Sequence, residues 1–334
     1  EQKIFQGFAG IAGLQKSKIG LILADAKLLK VEQEILYSAI EAYSGLVFAN
    51  EKLKINEINL NLLERQVETD QARLERGQIT LADLAQSESS FAGAQAKFIE
   101  AKNETVTAKL EYEKIIGPIS DIDSLSKKLD FDLKIPESLN NAIEISKINS
   151  PDLIIARLDY EQSEKDVLIA RAELSPSATI SLSSTKTDDL SSSYDESEKE
   201  IAKATISWPI FKGGKNTASL NRSKNLQNRK KLLLDNATRM NDTNVATAWS
   251  SLQSSRSLLN SVTLQVRAAE IANEGITVEY ESGLGRSTLD VIQSNSLLLS
   301  SKISMAESER NYLLSQFKLL QAIGNLSNDY LKLQ

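Results

Sequence analysis

The chain repeats itself at long range. Ile4-Phe5-x-Gly7 returns as Ile210-Phe211-x-Gly213, an offset of 206. The same offset pairs Ala42-Tyr43 with Ala248-Trp249, Leu46 with Leu252, Leu53 with Leu259, Glu64 with Glu270 and Gly77 with Gly283. Further on it becomes 207, pairing Asp83 with Asp290 and Gly117 with Gly324, so one residue, most simply Gly285, is extra in the second copy. Chance does not hold one offset over so long a stretch. The fold must therefore be built from two copies of one supersecondary unit.

Each copy carries one punctuated stretch: LERGQITLADLAQ from Leu74 to Gln86, and YESGLGRSTLDVIQ from Tyr280 to Gln293. Both read as a helix end, a Gly break, a Ser or Thr, then a new helix with Asp in its first turn. Gly tolerates a left-handed C-cap, and Asp complements the dipole of the following helix. These are signals for helical hairpin tips, over 76–82 and 282–288. Ahead of the first tip, 9–75 reads as one helix, about 100 Å long at 1.5 Å per residue. Its apolar residues recur every seven at Ala39, Leu46, Leu53, Leu60, Val67 and Leu74. The second long helix, 214–281, keeps the register at Val245, Leu252, Leu259, Val266 and Tyr280, with Asn273 the exception. A strict seven-residue repeat implies left-handed supercoiling against neighbours. An ordinary two-stranded coiled coil shows the same heptads. Against it stand a seam flanked by Ala and Ser, and shorter return helices after each tip, over 82–117 and 289–324.

Composition closes several alternatives. Five prolines and 14 glycines in 334 residues favour long helices over an all-β domain. A net charge of −6 lacks the basic footprint of a nucleic-acid binder. Cysteine and histidine are both absent. That rules out disulfides, thiolate nucleophiles and His-based metal sites, and removes the commonest general base. No cofactor and no metal are expected. No uncharged apolar run approaches the length of a transmembrane helix.

The repeats, 1–117 and 150–324, are separated by an insertion, 118–149, and followed by a tail, 325–334. Pro136 and Pro151 bracket a short helix near 137–147, and a further helix follows over 151–174. Residues 177–187 then alternate Ala178, Ile180 and Leu182 with Thr179, Ser181 and Ser183. Residues 201–211 alternate Ala202, Ala204, Ile206, Trp208 and Ile210 with Lys203, Thr205 and Ser207. A polar, acidic loop over about 188–200 joins them. Such alternation suits a membrane β-strand with one face to lipid and one to a lumen, and Trp208 suits an interfacial aromatic girdle. A hairpin packed on a soluble core has the same pattern, but the helices offer no spare apolar face and an isolated hairpin is marginal. Two strands cannot close a barrel, and lipid does not tolerate an open edge. If the first repeat supplied its own pair, with Gln2 to Phe5 as the remnant of one strand, the chain would still fall short of a barrel's minimum of about eight. The barrel must then be shared between subunits, and three copies would give about twelve strands. The second Ile-Phe-x-Gly follows a full set of elements and the first follows almost nothing, so an N-terminal part carrying any export signal is expected beyond this sequence.

In combination, these residues resemble the TolC-type outer-membrane efflux and secretion channels. The resemblance covers the whole chain. It rests on the duplicated hairpin; on Tyr280-x-x-Gly283 with Arg286-x-Thr288-Leu289-Asp290-Val291-Ile292; on Gly77-x-x-Thr80-x-x-Asp83; on Ile135-Pro136-Glu137-Ser138-Leu139 with Pro151-Asp152-Leu153; and on Trp208-Pro209-Ile210-Phe211-x-Gly213-Gly214. It implies a mainly α fold with a small membrane β part. A homotrimer would share one transmembrane β-barrel in the outer membrane, continued by an α-helical tunnel through the periplasm. The tunnel tip would stay closed until a periplasmic adaptor and an inner-membrane pump or ABC transporter engage it.

The resemblance also implies that Asp83, Tyr280 and Arg286 form a network of ion pairs and hydrogen bonds between the hairpins, Asp83 pairing with Arg286. Asp290 would form a carboxylate ring at the aperture, with Gln293 standing where the family tends to place a second acid. The exposed tip residues Gly77, Thr80, Leu81, Gly283, Leu284 and Ser287 are candidates for adaptor contact. Plainer readings exist for each. Asp83 and Asp290 would serve as dipole complements, Tyr280 as heptad core, Arg286 as a solvated charge and the tip residues as turn chemistry. Small-molecule efflux and type I protein secretion both fit, and the second tip leans towards shared or secretion use. Among other functions, a periplasmic adaptor would show one hairpin between Gly-rich lipoyl-like halves. A soluble coiled-coil protein would need no membrane-type strands. An enzyme would be left with carboxylates scattered along helix faces.

Overall fold

The computed structural model describes residues 1–127, 133–191 and 194–328. The elements are β1 (Gln2–Gln6), α1 (Ala9–Glu75), α2 (Leu81–Ile115), α3 (Leu139–Asn149), α4 (Pro151–Ala172), β2 (Ser177–Ser191), β3 (Tyr194–Ser207), α5 (Lys215–Glu281) and α6 (Thr288–Ala322). The duplication is visible in the backbone. α1 and α5 are both 67 residues long, and α2 and α6 are both 35. The fold is mainly α with a small β part. No described helix is long and apolar enough to cross a membrane.

The chain divides into two compact units that cut across the repeats, because the long helices contribute to both. One unit is Glu1–Val31 with Lys147–Thr243, and the other is Glu32–Ser146 with Asn244–Gln334. In the first, Leu23, Ala26 and Leu158 form a small core extended by Ile19, Ile154 and Ile155. Ion pairs from Lys16 to Asp166 (2.5 Å), Lys30 to Asp152 (2.7 Å) and Lys230 to Asp159 (2.5 Å) fix α4 against α1 and α5. They are half-exposed, so each stabilises by only about 0–1 kcal/mol. They act mainly on position.

This unit also holds a three-stranded antiparallel sheet in the order β1-β2-β3. Ala178, Ile180 and Leu182 stand opposite Ile206, Ala204 and Ala202, so the apolar residues of both strands share one face. The acidic stretch expected as a loop over 188–200 is strand for most of its length. The ladder continues through Thr185–Lys199, Lys186–Glu198 and Thr187–Ser197, because polar residues held in water pair as readily as apolar ones. At the other end the strand stops at Ser207 and not 211. Pro209 has no N–H to continue the ladder.

The second unit is built around Phe317, Leu319, Leu320 and Ile323 of α6 and its C-terminal turn, packed with Ile40 of α1, Ala142 of α3 and Val245, Ala248 and Leu252 of α5. The inserted helix α3 lies two residues later than the bracketing prolines suggest, and its Ala142 is part of this core. Residues 121–127 strap the outside. Lys127 bridges Glu51 and Glu309, both at 2.7 Å, and Asp123 takes Lys54 at 2.6 Å. The tail expected over 325–334 is described only to residue 328, where the Asn328 backbone N–H donates to Glu32.

Candidate functional site

The two hairpin tips are turned by the same device. At the first, the Gly77 N–H donates to the Leu74 carbonyl (2.8 Å) and the Gln78 N–H to the Arg73 carbonyl (2.9 Å). At the second, Gly283 donates to Tyr280 (3.2 Å) and Leu284 to Glu279 (2.9 Å). This paired closure needs a left-handed residue, and Gly77 (φ 70°) and Gly283 (φ 72°) supply it. The extra residue of the second copy is accommodated by Gly285 at φ 85°. Each return helix then opens with a capping box. Thr80 exchanges hydrogen bonds with Asp83, and Ser287 with Asp290, side chain to backbone in both directions.

That geometry settles where the expected ion pair goes. Asp83 accepts from the Thr80 backbone N–H (2.9 Å) and hydroxyl (2.7 Å), and Arg286 donates through Nε to Glu279 at 2.6 Å, seven residues back on its own hairpin. Asp83 and Arg286 are therefore not partners within the protomer. The longer second tip turns the guanidinium back on α5. Hydrogen bonds from the cap residues hold the carboxyls of Asp83 and Asp290 below the ordinary value of 3.8. The hydrogen bond and charge of Glu279 raise the Arg286 pKa. Gln293 is exposed on α6.

Tyr280 is the residue that does join the hairpins. It is 7% exposed, and its hydroxyl donates to Asp70 Oδ1 of α1 at 2.9 Å while meeting the Thr288 hydroxyl of α6 at 3.0 Å. Asp70, 0% exposed, also accepts from Gln66 Nε2 (3.0 Å) and from the Ser87 hydroxyl of α2. One carboxylate and one phenol thus tie together all four helices of the two hairpins. The Arg73 guanidinium lies 4.3 Å from the centre of the Tyr280 ring. Burial pushes the phenol above its usual 10.0, and the nearby Asp70 carboxylate adds to that against the opposing hydrogen bond with Thr288.

Asp70, Arg73 and Ser87 escape the sequence reading, and Thr288 enters it only as part of the second-tip motif, without a role. A signal for Asp70 exists, though. The buried line on α1 is Ala42, Ala49, Asn56, Leu63 and Asp70, seven apart and three residues on from the line chosen above. A carboxylate at the end of a core register is a flag. Asn273, the exception in the α5 register, donates to Ser294 (3.0 Å) and Asn295 (2.5 Å) and so pins α5 to α6 one heptad before Tyr280. The remaining expected residues are surface. Leu81 and Leu284 are each 71% exposed, and Gly77, Thr80, Gly283 and Ser287 are exposed beside them. Trp208 is 64% exposed and donates its indole N–H to the Leu174 carbonyl at 3.3 Å. Phe8, Ile210 and Phe211 are exposed as well. Among the described residues, no cluster of acidic side chains could hold a metal ion.

Known proteins share this architecture. The chain is 24% identical over its whole length to the outer membrane efflux protein BepC of Brucella suis biovar 1, spanning 72% of that protein. It is 22% identical to the alkaline protease secretion protein AprF of Pseudomonas aeruginosa, again over all of this chain and 70% of the relative. It is 21% identical to the outer membrane protein TolC of Escherichia coli, over 89% of this chain and 62% of TolC. Among solved structures, the outer membrane protein VceC of Vibrio cholerae superposes with a TM-score of 0.79 at 20% identity, over 96% of this chain and 77% of that one. The open-state MtrE outer membrane channel of Neisseria gonorrhoeae does so with a TM-score of 0.81 at 19% identity, over 96% and 73%. The model of the outer membrane efflux protein family matches residues 1–118 and 142–325, nearly the whole chain, and the chain belongs to that family.

Proposed function

We propose that this chain, as a homotrimer, forms the exit duct of a tripartite efflux pump or type I secretion system, latched shut by Asp70 and Tyr280. The protein is an outer-membrane channel of a transport family. Its sheet presents an apolar face of Ala178, Ile180, Leu182 and Ile206 to lipid, with Trp208 at the boundary. Three strands leave edges that lipid does not tolerate, which supports a barrel wall shared between copies. The helical part occupies the periplasm, where its hairpin tips meet an adaptor and, through it, an inner-membrane pump or ABC transporter.

The observation that carries the gating reading is the Asp70–Tyr280 hydrogen bond. It is buried, it links different hairpins, and breaking it frees α5 and α6 to move against α1 and α2. A latch of this kind is bistable: closed by internal hydrogen bonds, opened by a partner that binds the open state better. Leu81 and Leu284, exposed at adjoining tips, give an adaptor its apolar purchase, and Gly77, Thr80, Gly283 and Ser287 allow close approach. Asp290 keeps its charge while capping α6 and, with Gln293, faces the aperture; one acidic ring binds cations weakly. Leu81→Asp with Leu284→Asp should abolish copurification of adaptor with channel. Undiminished copurification would remove the tips from the contact.

A further inference from the structure

The hairpin of β2 and β3 is longer than a bilayer requires, and it sorts its charges by face. A membrane strand needs about 9–11 residues, whereas β2 has 15 and β3 has 14. On the face bearing Ile180 and Ile206, the apolar pairs end at Leu182–Ala202. Beyond them come Ser184–Glu200 and Lys186–Glu198, with Glu196 lying 3.6 Å from Lys186. Carboxylates are not held against hydrocarbon, so this upper part of the hairpin stands in water.

The opposite face reads Thr179–Thr205, Ser181–Lys203, Ser183–Ile201, Thr185–Lys199 and Thr187–Ser197. Hydroxyls line β2, and lysines punctuate β3. On β1, Lys3 stands opposite Thr179 and joins the same face. In these pairs that face carries no carboxylate, in a chain whose net charge is −6. Lys199 and Lys203 are about 13 Å apart along the strand, and Lys3, two strands across and one pleat repeat below, is roughly 12 Å from Lys203. These spacings are roughly one and a half times the screening length of about 8 Å in physiological salt, so the potentials of neighbouring lysines still overlap in part.

We infer that Lys3, Lys199 and Lys203 face the lumen of the shared barrel and make its outer exit anion-attracting, so that the duct favours negatively charged substrates. This rests on the exit-duct reading above. With one face in lipid, the face of small hydroxyls and lysines is the lumen, and rotational symmetry brings the lysines of every copy into rings. Rings of lysine or arginine are how pores select anions.

The test uses the protein purified from outer membranes, reconstituted in planar bilayers under a KCl gradient. The reversal potential gives the chloride-to-potassium permeability ratio, compared between proteins with identical hairpin tips. K199E/K203E should lower that ratio about threefold or more, K199Q/K203Q by less, and K199R/K203R should preserve it. E198Q/E200Q, on the other face, should leave it unchanged. If K199E/K203E yields no channels, the milder K199Q/K203Q carries the test. An unchanged ratio in the lysine variants, or an equal change in E198Q/E200Q, overturns the inference and leaves the duct standing. Absence of any conductance from the unaltered protein overturns the exit-duct reading, and the inference with it.

Discussion

Replacing Tyr280 with Phe removes a single oxygen from the place where the hairpins meet. The ring stays buried, and its contact with Arg73 is kept. Asp70 loses one of its donors and retains Gln66 and Ser87; Thr288 loses the phenol. A hydrogen bond to a charged acceptor contributes about 1.5–3 kcal/mol, so the closed state should weaken by about 2 kcal/mol per copy. That is a factor of roughly 30 in the ratio of closed to open states for each latch. In a trimer whose latches release together, the effects multiply. The assay is single-channel conductance in planar bilayers, with circular dichroism to show that helix content is unaltered. Tyr280→Phe should raise the open fraction far above that of the unaltered protein, and Asp70→Asn, which weakens the same bond from the other side, should do the same. A normally folded Tyr280→Phe trimer with unchanged conductance would refute the latch.

Arg286→Ala should leave the closed state intact, since its partner Glu279 lies on the same hairpin; a conductance as large as that of Tyr280→Phe would show a role across protomers. Gly285→Ala forces a side chain into φ 85°, costs roughly 1 kcal/mol and should loosen the second tip in hydrogen exchange while sparing the first. The capping carboxylates Asp83 and Asp290 have lowered pKa values, so their support is complete above 3.8 and is lost as pH falls below it. Tyr280, whose pKa is raised, has the opposite sign: its contact is intact below 10.0 and lost as pH rises above that. Tip protection from hydrogen exchange should follow both limits. Phe317→Ala, emptying a fully buried site in the second unit, should destabilise by about 3–5 kcal/mol in thermal or chemical unfolding.

The architecture was legible because it rests on repetition. Two copies of a heptad-bearing helix must give equal rods, and α1 and α5 do match in length. The tip glycines and the Asp in each following first turn were legible because a left-handed closure and a helix N-terminus favour those residues at those positions, whereas the capping boxes that Thr80 and Ser287 form with them were not read. Side-chain partners were not. Asp83 and Arg286 sit near the tips in sequence, but each charge is taken up within its own hairpin, by the Thr80 cap and by Glu279. Asp70 is 210 residues from Tyr280, and only the packing of different hairpins brings them together. The β-hairpin was underestimated for a related reason. Its upper half is hydrophilic, so composition reads as loop, while the ladder hydrogen bonds that continue it depend on the backbone alone.

The most direct test of the whole account is the mass of the protein extracted from outer membranes in mild detergent. A particle of three copies, requiring detergent to stay dispersed, is what a barrel wall built from shared strands predicts. A single copy that remains dispersed in plain buffer would contradict it.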